Sequence, residues 1–365
     1  MKAEELILRG GTAALPTLAR ACKEGAENIA AVFPGYEKMR AHRDRMIFGY
    51  YVLLSFLNRR RTLSGDVTVI SGKVQRSNPV SASLPQHVYR GQWFSSIREI
   101  RDGITLLTPF SFRERIALRC AAFRLYRKAK GTAGGYVQWQ EFCFLAAFLN
   151  RVGPGTVNGR GHYDECATWL GELMELLGYR YCIYQHGVVW RKVTIPHRIP
   201  CTELFVFNRY SAGIFRELYI ANEDCVYTVY PFPPSCRFET LTRKEGYHYI
   251  GVIEQLDAGW VRKVRERFPA DEKTVFIIMK HPLSKEEYES DERTCVTTVK
   301  YAEPDCLITV NSTLVLDYFR NGYKGQVFVT DQSAVEMFAE YPSVYYADLD
   351  SETAFREYAG RPRME

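Results

Sequence analysis

The 365-residue sequence lacks the short signatures of several common chemistries. It has no GxxxxGK(S/T) phosphate loop, no HExxH and no GxSxG elbow, and no GxGxxG stands between a strand-like and a helix-like stretch. P-loop nucleotide hydrolysis, zinc-peptidase chemistry and α/β-hydrolase chemistry are therefore set aside. None of the ten cysteines forms a CxxC pair, which argues against zinc fingers and ferredoxin-type clusters. No run reaches the roughly 18 apolar residues of a bilayer-crossing helix. Without an apolar leader segment, the expectation is of reduced cysteines in a cytoplasmic protein. No homeodomain, zinc-finger or RRM-like pattern occurs, so no specific nucleic-acid partner is expected.

What the chain does contain is an ordinary globular balance, 46% hydrophobic and 25% charged, long enough for about two domains. Its net charge of +6 is unevenly spread: residues 1–130 hold 23 Lys or Arg against 10 Asp or Glu, and the remainder holds 25 against 32. A cationic first third suits an anionic partner, whether acidic glycan, membrane surface or nucleic acid, or else simply solvates helices. The most apolar stretch, Met46 to Leu57, follows Arg43 and Arg45 and precedes Arg59, Arg60 and Arg61. It reads as a buried helix with a charged exit, and alternatively as an interfacial segment at the inner face of the cytoplasmic membrane.

The second half has a clear rhythm. Strand-like runs at Tyr247–Ile253, Thr274–Met279 (apolar almost throughout), Cys295–Val299, Cys306–Val310, Gln326–Thr330 and Ser343–Tyr346 alternate with helical spacing at Gly259–Phe268, Ser312–Arg320 and Gln332–Glu340. Strands apolar throughout, separated by helices, predict a doubly wound parallel sheet. The first half predicts strands at Asn28–Phe33, Asp66–Ile70, Ile104–Leu107, Tyr181–Tyr184, Glu203–Phe207 and Cys225–Val229, helices near 109–130, 137–151, 163–178 and 210–219, and a long loop over Ser71–Pro85. The predicted fold class is α/β, two Rossmann-like domains with a central cleft. The prolines at 231, 233 and 234 suggest a division into 1–235 and 236–365.

Ligands of parallel sheets gather at the carboxyl ends of strands, so the residues just past them are the candidates. Lys280-His281-Pro282 follows Thr274–Met279 and offers an ammonium and an imidazole to an anion, or forms a structural turn. Asn311-Ser312-Thr313 follows Cys306–Val310, where a hydroxyl caps the next helix or meets a phosphate. Gln185-His186-Gly187 follows Tyr181–Tyr184 and presents either a proton acceptor or a hydrogen-bonded structural histidine. Asp164 and Glu165 precede a predicted helix, where they complement its N-terminus or supply a base. Asp348-Leu349-Asp350 reads as a solvated turn rather than a metal site, and no metal is expected.

Together, Gln185-His186-Gly187, Lys280-His281-Pro282 and Asn311-Ser312-Thr313 resemble bacterial surface-polysaccharide transferases, namely capsule and lipooligosaccharide sialyltransferases and polysialyltransferases. The teichoic-acid glycerophosphotransferases use similar histidine-containing segments. The resemblance covers roughly residues 160–340. It implies a GT-B fold and a metal-independent glycosyltransferase with no cofactor. A nucleotide-activated sugar, CMP-linked in this group, would be held by the C-terminal domain, and the N-terminal domain would take a glycan or lipid-linked acceptor. His281 matches the family's His-Pro histidine, and Ser312 or Thr313 its phosphate-contacting hydroxyl. The acidic pair departs from the family pattern, because Asp164-Glu165 precedes Cys166 and not glycine, and His186 fits the glycerophosphotransferase histidine better. A CDP-polyol phosphotransferase and a non-enzymatic binder of acidic polymer or nucleic acid are the alternatives.

Overall fold

Every residue of Thr274–Met279 and Cys306–Thr309 is buried, as apolar strands covered on both faces must be. The computed structural model describes residues 3–8, 20, 36–71, 79–90, 96–129, 135–160, 165–185, 187, 189, 199–218, 224–233, 238, 242–255, 258–280, 284, 286–297 and 302–358. Two compact units result, Met1–Phe232 and Pro233–Glu365.

In the first unit, helices α1 (Ala3–Ile7) and α2 (Tyr36–Leu57) precede strand β1 (Val67–Ser71), helix α3 (Pro79–Ser83) and strand β2 (His87–Arg90). Helices α4 (Ile97–Asp102), α5 (Phe112–Lys128) and α6 (Gly135–Val152) follow. Then come β3 (Thr156–Gly159), α7 (Glu165–Leu177), β4 (Arg180–Tyr184), β5 (Glu203–Val206), α8 (Arg209–Leu218) and β6 (Val226–Val229). The sheet order is β2-β1-β3-β4-β5-β6, parallel throughout. Helix α6 lies at the centre of this unit's core, with Trp139 and the run Phe142–Leu149 buried.

Helix α5 starts at a capping box: the Ser111 N–H donates to Glu114 Oε2 at 2.7 Å and the Glu114 N–H to Ser111 Oγ at 3.4 Å. One turn on, the buried Arg115 donates through Nη1 to the carbonyls of Leu54 (3.2 Å), Ser55 (3.4 Å) and Asn58 (2.6 Å), and through Nε to Leu107 (3.0 Å). A cation therefore satisfies the carbonyls at the end of α2, where the helix dipole is negative. Burial pulls the Arg115 pKa down, against the opposing charge of Glu114.

The second unit contains β7 (His248–Ile253), α9 (Ala258–Arg267), β8 (Thr274–Met279), β9 (Thr294–Thr297), β10 (Cys306–Thr309), α10 (Leu314–Arg320), β11 (Gln326–Val329), α11 (Gln332–Met337) and β12 (Val344–Tyr346). Its sheet order is β12-β11-β10-β7-β8-β9, again parallel throughout. Gly251 lies mid-strand in β7, where a Cβ would come within 2.8 Å of both Met279 Cε and Pro304 Cγ. The absence of a side chain lets the neighbouring residues close over the strand.

The two Rossmann-like α/β units agree with the predicted fold class, with local corrections. Ile104–Leu107 is a buried turn and not a strand. Asn58 organises it, donating to the Ile100 and Gly103 carbonyls at 2.8 and 2.9 Å and accepting from the Thr105 and Thr108 hydroxyls at 3.2 and 2.8 Å. The expected Ser71–Pro85 loop contains α3, because Pro79 occupies a helix's first turn without forfeiting a hydrogen bond. Met46–Leu57 is helical, yet only one side of it is buried. Asn28–Phe33 lies outside the described residues.

Candidate functional site

Strand register lines up one edge of the second sheet. Ile253 of β7 pairs with Met279 of β8 and with Thr309 of β10, and Thr309 pairs with Val329 of β11. The chain therefore leaves four adjacent strands at the same level, through Glu254-Gln255, Lys280, Val310-Asn311 and Thr330-Asp331. Strands β7 and β10 are neighbours, yet the chain runs from β7 to β8 and β9 on one side and from β10 to β11 and β12 on the other. That reversal is the switch point at which open parallel sheets take ligands.

Gln255 and Asn311 lock together at this point. The Gln255 amide donates to Asn311 Oδ1 at 2.9 Å, and Gln255 Oε1 accepts from the Asn311 backbone N–H at 3.0 Å. The buried Thr309 hydroxyl also donates to Gln255 Oε1, at 3.4 Å. Asn311 Nδ2 reaches Asp331 Oδ2 at 3.5 Å, while Asp331 Oδ1 caps α11 by accepting from the Ser333 N–H and hydroxyl at 3.0 and 2.6 Å. On the outer side, the Trp260 indole N–H donates to the Thr330 hydroxyl at 3.0 Å.

These bonds divide the Asn311-Ser312-Thr313 triplet by role. The Asn311 amide is spent on the framework, so it positions the turn. Ser312 Oγ accepts from the Leu314 N–H at 3.2 Å and keeps its own proton for a further acceptor. Thr313 stands at the N-cap of α10 without a side-chain capping bond.

Glu254 is buried at the end of β7 and accepts from the hydroxyls of Ser284 and, at 3.0 Å, Tyr288. Both donors lie beyond β8, so this carboxylate ties down the chain that follows Lys280. The Lys280 N–H is itself fixed by the Thr297 carbonyl at 2.9 Å. His281 and Pro282 lie outside the described residues. Sequence reading overlooked Glu254 and Gln255, although both stand directly after a predicted strand, the position that singled out Lys280.

In the first unit, Gln185 follows β4 and is buried. Its Nε2 donates to the Gly187 carbonyl at 3.0 Å and to Ser211 Oγ at 3.1 Å, and its Oε1 accepts from the Phe207 N–H at 2.7 Å. Gly187 has φ +79°, a conformation that favours glycine. Position 186 is thus bracketed by fixed neighbours, while His186 itself and Asp164 lie outside the described residues. Glu165 begins α7, and its side chain is likewise outside them. Buried Arg160 follows β3.

Among the described residues no group of three His, Cys, Asp or Glu side chains is placed to hold a metal. Asp350 pairs with Lys263, and Asp348 accepts from the Asp350 N–H at 3.0 Å. No helix among them is long and apolar enough to cross a membrane. Cys120, Cys143, Cys182, Cys201, Cys225, Cys295 and Cys306 are free thiols.

No family model and no curated protein matches the chain. Among solved structures it is similar to the glycotransferase of kitacinnamycin, with 10% identity and a TM-score of 0.42 over 81% of this chain and 91% of that one. It is similar also to a glycosyltransferase from Rickettsia africae ESF-5, with 9% identity and a TM-score of 0.42 over 81% and 87%. The wall teichoic acid polymerase TagF matches at 11% identity and a TM-score of 0.36 over 84% and 81%.

Proposed function

We propose that this chain is a metal-independent glycosyltransferase of GT-B type that takes a nucleotide-activated sugar, CMP-linked, and builds a bacterial surface polysaccharide or glycolipid. The observation that carries the reading is the in-register set of strand ends at the switch point of the second sheet, where the locked Gln255–Asn311 pair leads into Ser312 and Thr313 on the same sheet edge as Lys280. In this reading Lys280, His281, Ser312 and Thr313 bind the donor phosphate, Pro282 shapes the turn and Asn311 positions it. His186 removes the proton of an acceptor hydroxyl held by the first unit, with Asp164 and Glu165 as the alternative bases. The hydroxyl oxygen bonds to the anomeric carbon as the bond to the nucleotide phosphate breaks, and the cationic strand-end groups stabilise the departing anion.

A panel of nucleotide sugars and CDP-polyols, scored for product linkage with and without chelator, tests the proposal. A new glycosidic bond formed in the presence of chelator supports it. A new phosphodiester favours the phosphotransferase instead, and polymer binding without any turnover favours the non-enzymatic binder. His281→Ala is expected to weaken donor binding, and His186→Ala to slow transfer with donor binding intact. Normal turnover and donor affinity in both variants would reject these roles.

A further inference from the structure

The second half of α2 is apolar on both sides. Ile47, Tyr50, Tyr51 and Leu54 are buried in the core, while Met46, Phe48, Leu53, Phe56 and Leu57 are 38–62% exposed. At 3.6 residues per turn the exposed set forms one arc with Gly49 and Val52, in which Arg45 is the sole charged residue. Helix α5 extends it. Phe112, Ile116 and Phe123 share a stripe and are 37–50% exposed. The Phe56 and Phe112 rings lie 5.4 Å apart, and the Arg119 guanidinium sits 5.2 Å from the Phe48 ring centre. Two helices thus present one continuous apolar band, far larger than the scattered apolar residues normal on a soluble surface.

Exposed arginines gather around the band. Arg59, Arg60 and Arg61 leave the end of α2, and Arg113 and Arg127 flank the α5 stripe, all exposed. The nearby carboxylates are already engaged, Glu114 by Arg151 at 2.7 Å and Asp102 by Arg101 at 3.1 Å. The band is also rigidly mounted, because the buried Arg115 fastens the end of α2 to α5.

We propose that this face docks the chain on an anionic lipid bilayer, its Phe, Leu and Met side chains entering the headgroup–acyl boundary and its arginines pairing with lipid phosphates. Apolar insertion supplies the non-specific attraction, and the cationic rim supplies the preference for anionic lipid. A rim in which exposed arginines outnumber carboxylates complements a uniformly negative surface better than it does a protein face of mixed sign. The inference rests on none of the reaction steps proposed above.

Sedimentation of the full chain with vesicles tests it, using phosphatidylcholine alone and phosphatidylcholine containing phosphatidylglycerol. The wild type is expected to sediment with the anionic vesicles, less so as salt rises. The triple variant Phe48→Ser, Phe56→Ser, Phe112→Ser is expected to partition about tenfold less or weaker still. The triple variant Arg60→Gln, Arg61→Gln, Arg113→Gln should lose the preference for anionic lipid. Phe56→Trp, which preserves an exposed aromatic, should gain fluorescence that brominated acyl chains quench, and this decides the question should the serine variant not fold. A wild type that stays in solution with anionic vesicles overturns the proposal. So does undiminished partitioning of a folded serine variant, or indole fluorescence at position 56 that the brominated chains leave unquenched in the Phe56→Trp variant. A dimer that the serine substitutions dissociate, with no vesicle binding, would assign the face to a second copy of the chain.

Discussion

Arg115→Met removes the guanidinium that joins α2 to α5 while keeping most of the buried stem, so the cavity contribution stays small. Nη1 has only two protons, so its three carbonyl contacts amount to about two bonds, and Nε adds the bond to Leu107. A buried carbonyl left unpaired costs about 1–3 kcal/mol. The Leu107 carbonyl keeps the Phe110 N–H and the Leu54 carbonyl the Asn58 N–H, both at 3.2 Å, so the loss falls chiefly on Asn58. With relief of the buried charge's desolvation it comes to roughly 2 kcal/mol. For a unit of this size that lowers the melting midpoint by roughly 4–8 °C. Arg115→Lys should fall between, because an ammonium cannot span both carbonyl groups. Calorimetry with hydrogen exchange reads both effects: peptides covering 47–58 should exchange faster, and those covering 274–279 should not change. A loss under about 1 kcal/mol with unchanged exchange in α2 would refute the account of this contact.

Two other outcomes follow from single contacts. Burial would raise the Glu114 pKa, but the Ser111 N–H, Arg151 and the Ser111 hydroxyl outweigh it and bring the group from 4.5 to about 2. Its contribution is therefore complete above pH 4.5 and lost as pH falls toward 2. With solvent screening it amounts to about 2 kcal/mol, and Glu114→Gln should flatten the stability slope in that window, whereas an unchanged slope would contradict the assignment. Gly251→Ala forces a methyl against Met279, Pro304 and Leu307 and should cost about 1–3 kcal/mol. Wild-type stability in urea titration would show that those neighbours yield freely.

The second sheet was legible because its central strands are apolar nearly throughout, and only burial on two faces explains that pattern. The same rule misled at Ile104–Leu107, whose apolar residues are buried in a turn held by hydrogen bonds to Asn58, which lies 47 positions from Thr105 in sequence. Strand ends drew attention to Lys280 and Asn311, since position alone places such residues at the ligand-binding edge. Gln255 shares that strand-end position but belongs to no motif that sets it apart. Its importance comes from pairing with a residue 56 positions away, which no local pattern reveals. The apolar arc of α2 was visible as a run of residues, but periodicity cannot say which side of a helix apolar all round faces solvent.

The most direct test of the donor site is hydrogen exchange on the full chain with and without CMP. Slowed exchange confined to peptides covering 280–284 and 311–316, and abolished by Lys280→Ala with Ser312→Ala, is the predicted result. Protection that appears only in the first unit, or that survives both substitutions unchanged, would contradict the assignment of the nucleotide to the switch point of the second sheet.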